Sequence, residues 1–179
     1  MPNGVPCLRK RALDKSGIRG TVKERRKEDG NVTDYESLIA QAEGLTAGVP
    51  HPIANMANVS ALIYESAEDL NWAGFYLLEG DTLVLGPFQG RPACIEIPVS
   101  KGVCGAAVRE NRSQLVPDVH AFPGHIACDC ASRSELVVPL RRNGAVFGVL
   151  DLDSPTEGRF TEADRAGMER LCAAIESSL

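Results

Sequence analysis

The residues best suited to chemistry in this chain are cysteines, four of which fall within one stretch, at Cys94, Cys104, Cys128 and Cys130. The start of the chain is positively charged but has no apolar stretch of the kind that a secretory signal needs, so we expect a cytoplasmic protein. In a reducing compartment, clustered thiols are more often catalytic, redox-active or metal-binding than structural. The sequence therefore predicts sulfur chemistry.

Spacing alone leaves three interpretations of these thiols open. His125, Cys128 and Cys130, together with Cys94 or Cys104, could supply four zinc ligands, although the chain has no CxxC pair. Burial as a small hydrophobic side chain would explain Cys94 on a strand. In the third interpretation, one thiolate attacks an oxidised substrate and a second thiol resolves the product as a disulfide. We prefer the redox interpretation and rank zinc last.

Acidic and aromatic side chains at strand positions are further candidates, and Glu135 follows shortly after the last clustered cysteine. Asp151 and Asp153 are two residues apart on a predicted strand, so their side chains share one face of it. Trp72 and Tyr76 are four apart and also share a face. A solvated strand face for the acids and core packing for the aromatics are the alternatives to a binding role.

The charge is unevenly distributed along the 179 residues. Residues 1–30 hold nine Lys/Arg against four Asp/Glu, a net +5, so the remainder sums to −10 within the total of −5. We predict that 1–30 is a basic, disordered arm in which Cys7 is incidental, and that 31–179 is one domain. The acidic body argues against nucleic-acid binding. No apolar run approaches the roughly 20 residues that would cross a bilayer.

The hydrophobic pattern predicts an α+β fold, with an antiparallel sheet and helices packed mainly on one side. The predicted elements are a helix from a Thr33–Glu36 capping box, a helix over 53–70, strands over 72–78, 82–85, 94–99 and 113–116, a short helix over 102–110, a hairpin around Asn143-Gly144, and a last helix from the Thr161 cap to Ser178. A long loop covers 117–134. Cys172, on the last helix, is expected to pack as a small hydrophobic residue.

Several segments of the chain closely resemble free methionine-(R)-sulfoxide reductase, a family built on a GAF domain. They are NWAGFYLL (71–78), LGPFQGRPAC (85–94), GVCGAA (102–107), DVHAFPGHIACD (118–129), SRSELVVPL (132–140) and GVLDLDS (148–154). The resemblance runs from about residue 34 to the end and leaves only the basic arm uncovered. It implies a single GAF-type domain over 31–179.

The resemblance also implies an activity, the reduction of free methionine-(R)-sulfoxide, with thioredoxin as the recycling dithiol and no bound cofactor or metal. It assigns Cys128 as the attacking nucleophile, Cys94 as the resolving thiol and Cys104 as a further redox thiol, with the order of Cys104 and Cys128 left open. Cys130 stands where the family is expected to have a small residue without a thiol. A homodimer is compatible with the family. The alternative function is a non-enzymatic GAF sensor that binds a small ligand or responds to redox state.

The remaining site residues follow from the same resemblance. One of Glu135, Asp151 and Asp153 is expected to be protonated and to act as general acid towards the sulfoxide oxygen, because carboxylates beside a thiolate would otherwise raise its pKa. The other carboxylates would hold the ammonium group that distinguishes a free amino acid. Trp72 and Tyr76 would contact the S-methyl end of the substrate.

Overall fold

An antiparallel sheet of six strands forms the centre of the protein in the computed structural model, which describes residues 33–124 and 131–179. The strands are β1 (Trp72–Glu79), β2 (Thr82–Gly90), β3 (Glu96–Pro98), β4 (Gln114–Val116), β5 (Ser134–Arg142) and β6 (Ala145–Ser154). Their order across the sheet is β3-β2-β1-β6-β5-β4. The two hairpins, β1–β2 and β5–β6, meet through β1 and β6 at the centre.

Helices cover both faces of this sheet, three on one side and one on the other. They are α1 (Tyr35–Thr46), α2 (Pro52–Ser66), α3 (Gly102–Glu110) and α4 (Glu162–Ile175), with 3-10 turns at Val119–Ala121 and Glu176–Ser178. Because side chains alternate across a strand, one face of β1 directs Phe75 into a core with α1, α2 and α4. The other face directs Trp72 and Tyr76 into a second core with α3. The expected α+β domain, with helices mainly on one side, is confirmed.

The Asn143-Gly144 turn sets the register of the β5–β6 hairpin. Both residues have positive φ, 53° and 80°, as a type I′ turn requires, and the twist of such a turn matches that of the strands it joins. Arg142 pairs with Ala145 across the turn. This register places Glu135, Asp151 and Asp153 on one face of the sheet, at the ends of β5 and β6 away from the turn.

Several element boundaries differ from the sequence expectations. Asp34, and not Thr33, caps α1, since its side chain accepts the Ser37 amide. The second helix ends at Ser66 instead of residue 70. It cannot extend to residue 70, because Asp69 has a left-handed φ of 58°, which is incompatible with a right-handed helix.

Cys94 also lies outside the strand predicted over 94–99, because β3 covers only Glu96–Pro98. Its carbonyl oxygen accepts the Tyr76 hydroxyl at 2.9 Å. In contrast, the capping box of Thr161 with Asp164 is present as predicted.

Some expectations fall on residues outside the described part of the chain. These are the basic arm with Cys7, and the segment 125–130 with His125, Cys128 and Cys130. Within residues 33–124 and 131–179, none of the helices has the length and apolar character needed to cross a membrane.

Candidate active site

Two glycines set the position of Cys104 in the first turn of α3. Gly102 opens the helix with a φ of +67°, a left-handed value that favours glycine. A Cβ added at Gly105 would lie 2.5 Å from the carbonyl oxygen of Val99, so any larger residue would push the helix away. The glycines therefore hold the first turn of α3 close to the chain that leaves β3, and Cys104 joins the core on that face of the sheet.

Cys104 meets two carboxyl groups from neighbouring strands. Its sulfur lies 3.9 Å from Oε1 of Glu135 on β5. Asp151 on β6 completes the group, and the three side chains offer ligand or proton-carrying atoms that all lie within 4.8 Å of one another. All three residues are buried. The fold thus concentrates one thiol and two carboxyl groups out of contact with water.

The strand register brings Asp153 and the aromatic side of β1 to the same place. Asp153 pairs with Glu135 on one side and with Trp72 on the other. Asp151 pairs with Gly74 on β1. The prediction that Asp151 and Asp153 share a face is therefore confirmed, and that face is the one covered by α3.

Burial raises the pKa of the Cys104 thiol well above its usual value, and the charges of Asp151, Glu135 and Asp153 raise it further. The dipole of α3 acts in the opposite direction, since a sulfur near a helix N-terminus is favoured as thiolate. Here the loss of hydration and three nearby acids outweigh that dipole. Cys104 is a neutral thiol that donates its hydrogen bond to the carboxyl groups.

Burial also raises the pKa of both carboxyl groups in the cluster. For Glu135, the negative charges of Asp151 and Asp153 act in the same direction as burial, and the pKa rises well above its usual range. For Asp151, burial raises the pKa to about 7, against the lowering effect of hydrogen bonds from Cys104 and Glu135. Glu135 accordingly keeps its proton at neutral pH and donates it in a hydrogen bond to Asp151.

A stack of aromatic rings forms the wall beside this cluster. The Trp72 ring stacks on Tyr76 with centroids 5.8 Å apart, and on Phe88 with centroids 5.3 Å apart. Gly74 permits the stack, because a Cβ there would lie 2.3 Å from the Cβ of Phe88 and 2.6 Å from the Trp72 ring. Sequence reasoning named Trp72 and Tyr76 but missed Phe88 and Gly74. Gly74 and Phe88 come together because the β1–β2 register pairs them. The pattern of a single strand does not predict that register.

Tyr76 also ties the cluster to the second described cysteine of the predicted site. Its hydroxyl donates to the carbonyl oxygen of Cys94 at 2.9 Å. Cys94 is half-buried and packs against the same core as Cys104. The structure thus places two of the three predicted catalytic cysteines around one core, whereas Cys128 lies outside the described residues.

Two buried polar atoms at the site have no hydrogen-bond partner within the described ranges. They are Nε1 of Trp72, a donor, and Oδ1 of Asp151, an acceptor. An unsatisfied buried polar group costs about 1–3 kcal/mol. A ligand with both a donor and an acceptor would satisfy them.

Thiol and carboxylate groups at this spacing are also types that bind metal ions. A cation bound here would have to displace the protons that Cys104 and Glu135 hold. The absence of a metal remains a prediction. Cys172 is separate from the site: it lies in the core on the helical face, where burial raises the pKa of its thiol.

A groove of about 530 Å³ also lies apart from the cluster, next to the C-terminal end of α1 and the end of the chain. None of the predicted site residues in the described part of the chain lines it. The residues that do are Glu43, Thr46, Ala47, Gly48, Val49, Pro50, Ala174, Ser177 and Ser178.

Comparison with known proteins gives this site its context. The family model described as GAF domain matches residues 54–179. The free methionine-R-sulfoxide reductase of Escherichia coli is 54% identical over 145 residues, which cover 81% of this chain and 88% of that protein. The chain belongs to the free methionine-(R)-sulfoxide reductase family of GAF-domain proteins.

Solved structures of the family have the same fold. The reduced form of fRMsr from Staphylococcus aureus superposes with a TM-score of 0.80 at 50% identity, covering 83% of this chain and 97% of that one. The free methionine-R-sulfoxide reductase of Neisseria meningitidis, in complex with its substrate, gives a TM-score of 0.78 at 42% identity, covering 80% and 87%. The resemblance inferred from the sequence segments is thereby confirmed.

Proposed function

We propose that this protein reduces free methionine-(R)-sulfoxide to methionine by thiol chemistry. The observation that carries the proposal is the buried group of Cys104, Glu135 and Asp151, in which a carboxyl group keeps its proton at neutral pH. A sulfoxide oxygen leaves sulfur only if it is protonated, and a general acid with a pKa near the working pH is suited to that task. The names of the relatives support the same substrate.

The chemistry needs one attacking thiolate and one proton donor. In our proposal the Cys128 thiolate takes the oxygen from the sulfoxide sulfur, and the Glu135–Asp151 pair gives that oxygen a proton. Methionine leaves, and Cys128 becomes a sulfenic acid. The Cys94 thiol then displaces water from that sulfenic acid and forms a disulfide. Thioredoxin, a dithiol, returns both cysteines to thiols.

Cys104 has a different part in this proposal. Its raised pKa makes it a poor nucleophile at neutral pH. This favours Cys128 as the attacking residue, and it makes Cys104 a hydrogen-bond donor to the acids in the resting site. As a further redox thiol, Cys104 would exchange only after losing its proton.

The carboxylates and the aromatic wall account for recognition of a free amino acid. Asp151 and Asp153 would bind the substrate ammonium, which a residue inside a protein lacks. Trp72 and Tyr76 would contact the S-methyl end. The unsatisfied atoms Nε1 of Trp72 and Oδ1 of Asp151 support a ligand that offers both an acceptor and a donor.

A stereospecific assay tests the function. Purified protein with dithiothreitol is given the separate R and S epimers of free methionine sulfoxide, and a peptide that contains methionine sulfoxide serves as the control substrate. We expect methionine from the free R epimer alone. If the R epimer is not consumed, the reductase proposal is wrong, and a shift in thermal stability with ligand or oxidant would then favour the sensor function.

Cysteine variants separate the three thiol roles. A pre-reduced enzyme should form methionine in a single turnover even when Cys94→Ser blocks disulfide formation, whereas Cys128→Ser should abolish that burst. Cys104→Ser should keep the burst. Cys172→Ala, a buried thiol in the other core, is the matched control and should leave both the burst and multiple turnover unchanged.

A further inference from the structure

Two glycines leave room for the Trp72 indole to lie along the sheet. Trp72 on β1 pairs with Gly90 on β2, and two residues further along β1, Gly74 occupies the same face. A Cβ added at Gly90 would lie 2.8 Å from Cδ1 of Trp72, at one end of the indole. A Cβ added at Gly74 would lie 2.6 Å from Cη2, at the other end. The indole therefore fills the space that side chains at both glycines would need.

Packing, and not a hydrogen bond, sets the orientation of this ring. Nε1 is the only polar atom of the Trp72 side chain, and it is buried without a hydrogen-bond partner in residues 33–124 and 131–179. Of the two rings stacked on the indole, Phe88 makes the flatter and closer contact. Its plane is 13° from that of the indole with centroids 5.3 Å apart, against 25° and 5.8 Å for Tyr76. Stacking of this kind restricts the tilt of both rings.

The two rings that stack on the indole differ in what else they do. Tyr76 is fully buried, and its hydroxyl donates to the carbonyl oxygen of Cys94 at 2.9 Å. Phe88 has no polar side-chain atom, is half-buried and packs against the core beneath α3. Its place against the indole is set by its pairing with Gly74. Phe88 can therefore be replaced without the loss of a side-chain hydrogen bond.

We propose that Phe88 is a positioning residue, which fixes the Trp72 indole and thereby limits the sulfoxide substrate to a small S-alkyl group. This inference rests on the proposed function, in which Trp72 contacts the S-methyl end, and it adds the residue that sets the room at that end. A wall that is held in place cannot move aside for a longer alkyl chain. One methylene group in an apolar site changes the specificity by about 10- to 200-fold.

Substrate selectivity tests this role of Phe88. The value of kcat/KM with dithiothreitol is measured for free methionine-(R)-sulfoxide and for its S-ethyl analogue, free ethionine-(R)-sulfoxide. We expect Phe88→Leu to reduce the preference for the S-methyl substrate about tenfold, with a higher KM for methionine sulfoxide and little change in kcat. Phe88→Tyr keeps an aromatic ring and should keep the preference. Phe147→Leu is the matched control, because Phe147 is also half-buried but packs against the core on the opposite face.

The indole itself provides a second measurement that does not depend on turnover. Trp72 is the only tryptophan in the 179 residues, so the decay of tryptophan fluorescence anisotropy reports the motion of this ring alone. Side chains that are free to move do so in picoseconds to nanoseconds, and we expect Phe88→Leu to roughly double the anisotropy lost on that timescale. Phe88→Tyr and Phe147→Leu should leave it unchanged. If Phe88→Leu does not fold, Phe88→Met, which fills the space with a flexible side chain, takes its place in both measurements.

The two measurements distinguish the possible failures. An indole that is no more mobile in Phe88→Leu, or a preference for the S-methyl substrate that is unaltered, would overturn the role of Phe88. The same changes in Phe147→Leu would also overturn it, because they would then reflect a general loosening of the fold. If the unchanged protein reduces neither sulfoxide, the proposed function fails and the limit on the alkyl group fails with it. The anisotropy decides separately whether Phe88 holds the indole.

Discussion

The sulfur of Cys104 lies 3.9 Å from Oε1 of Glu135, and both side chains are buried between α3 and the sheet. This contact decides the protonation state of the site. A buried thiolate beside buried carboxylates would place like charges together in a poorly hydrated region, so the protons stay on Cys104 and Glu135. These protonation states support the proposal that the site gives a proton, and they do not favour Cys104 as the nucleophile.

Replacing Glu135 by Gln should remove the proton donor while keeping the shape of the side chain. We expect the single-turnover rate of methionine formation to fall by about 10²-fold or more, the usual contribution of a general acid. In the unchanged protein, the rate should decline as pH rises above about 7, the pKa of Asp151. Above that pH the Glu135–Asp151 pair holds one proton fewer, so it gives a proton to the sulfoxide less readily. Rates measured from pH 5.5 to 9 with pre-reduced enzyme test both statements.

Glu79→Gln is the control for that variant, since Glu79 is an exposed glutamate at the end of β1. It should have the rate and the pH profile of the unchanged protein. A Glu135→Gln enzyme that keeps the full rate would show that the proton comes from another group.

Asp151 should make the folded protein less stable as pH rises through the acidic range towards neutrality. Burial raises its pKa from 3.8 to about 7, so the folded state holds a proton that the unfolded state has already released. The free energy of unfolding therefore falls as pH rises from about 4 through 7. Asp151→Asn removes the titration, and it should stabilise the protein at pH 8 by up to about 4 kcal/mol, at roughly 1.4 kcal/mol per pH unit. At pH 5, only about one unit above the ordinary pKa of 3.8, the gain should be about 1–2 kcal/mol.

Urea unfolding at pH 5, 6, 7 and 8 measures this difference. Asp81→Asn changes an exposed aspartate at the β1–β2 turn and should show no comparable dependence on pH. A gain from Asp151→Asn that is the same at pH 5 and pH 8 would mean that it comes from packing and not from the charge of Asp151.

The sequence predicted the order of elements well, because short-range signals determine them. The Asn143-Gly144 turn and the Thr161 capping box each act within a few residues, and both are present as predicted. The start of α1 was misplaced by one residue, since Thr33 and Asp34 are both good capping residues and only the folded chain selects Asp34.

The site was predicted less completely, because its geometry depends on pairing between distant strands. The shared face of Asp151 and Asp153 follows from alternation along one strand. The contact of Cys104 with Glu135 and the stack of Phe88 on Trp72 depend on sheet order and register. Family resemblance supplied the residues of the first contact, but not the burial that keeps the Cys104 thiol protonated.

Gly74 should tolerate no side chain, since it pairs with Phe88 across β1 and β2 under the aromatic stack. An added Cβ would lie 2.3 Å from the Cβ of Phe88, an atom fixed to the backbone that cannot rotate away. Gly74→Ala should therefore separate the strands locally, destabilise the protein by about 1–3 kcal/mol, and raise the KM for the sulfoxide as Trp72 moves.

Gly44→Ala provides the opposite case in the same chain. Gly44 lies within α1, and a Cβ there would have nothing within 4 Å. This variant should gain about 0.5–1 kcal/mol, because alanine loses less conformational freedom than glycine in a helix, and its KM should not change. Thermal unfolding and substrate kinetics of the two variants measure both effects. Equal stability and equal KM in Gly74→Ala would show that the strands can part without moving Trp72, and the aromatic wall would then not depend on glycine at this position.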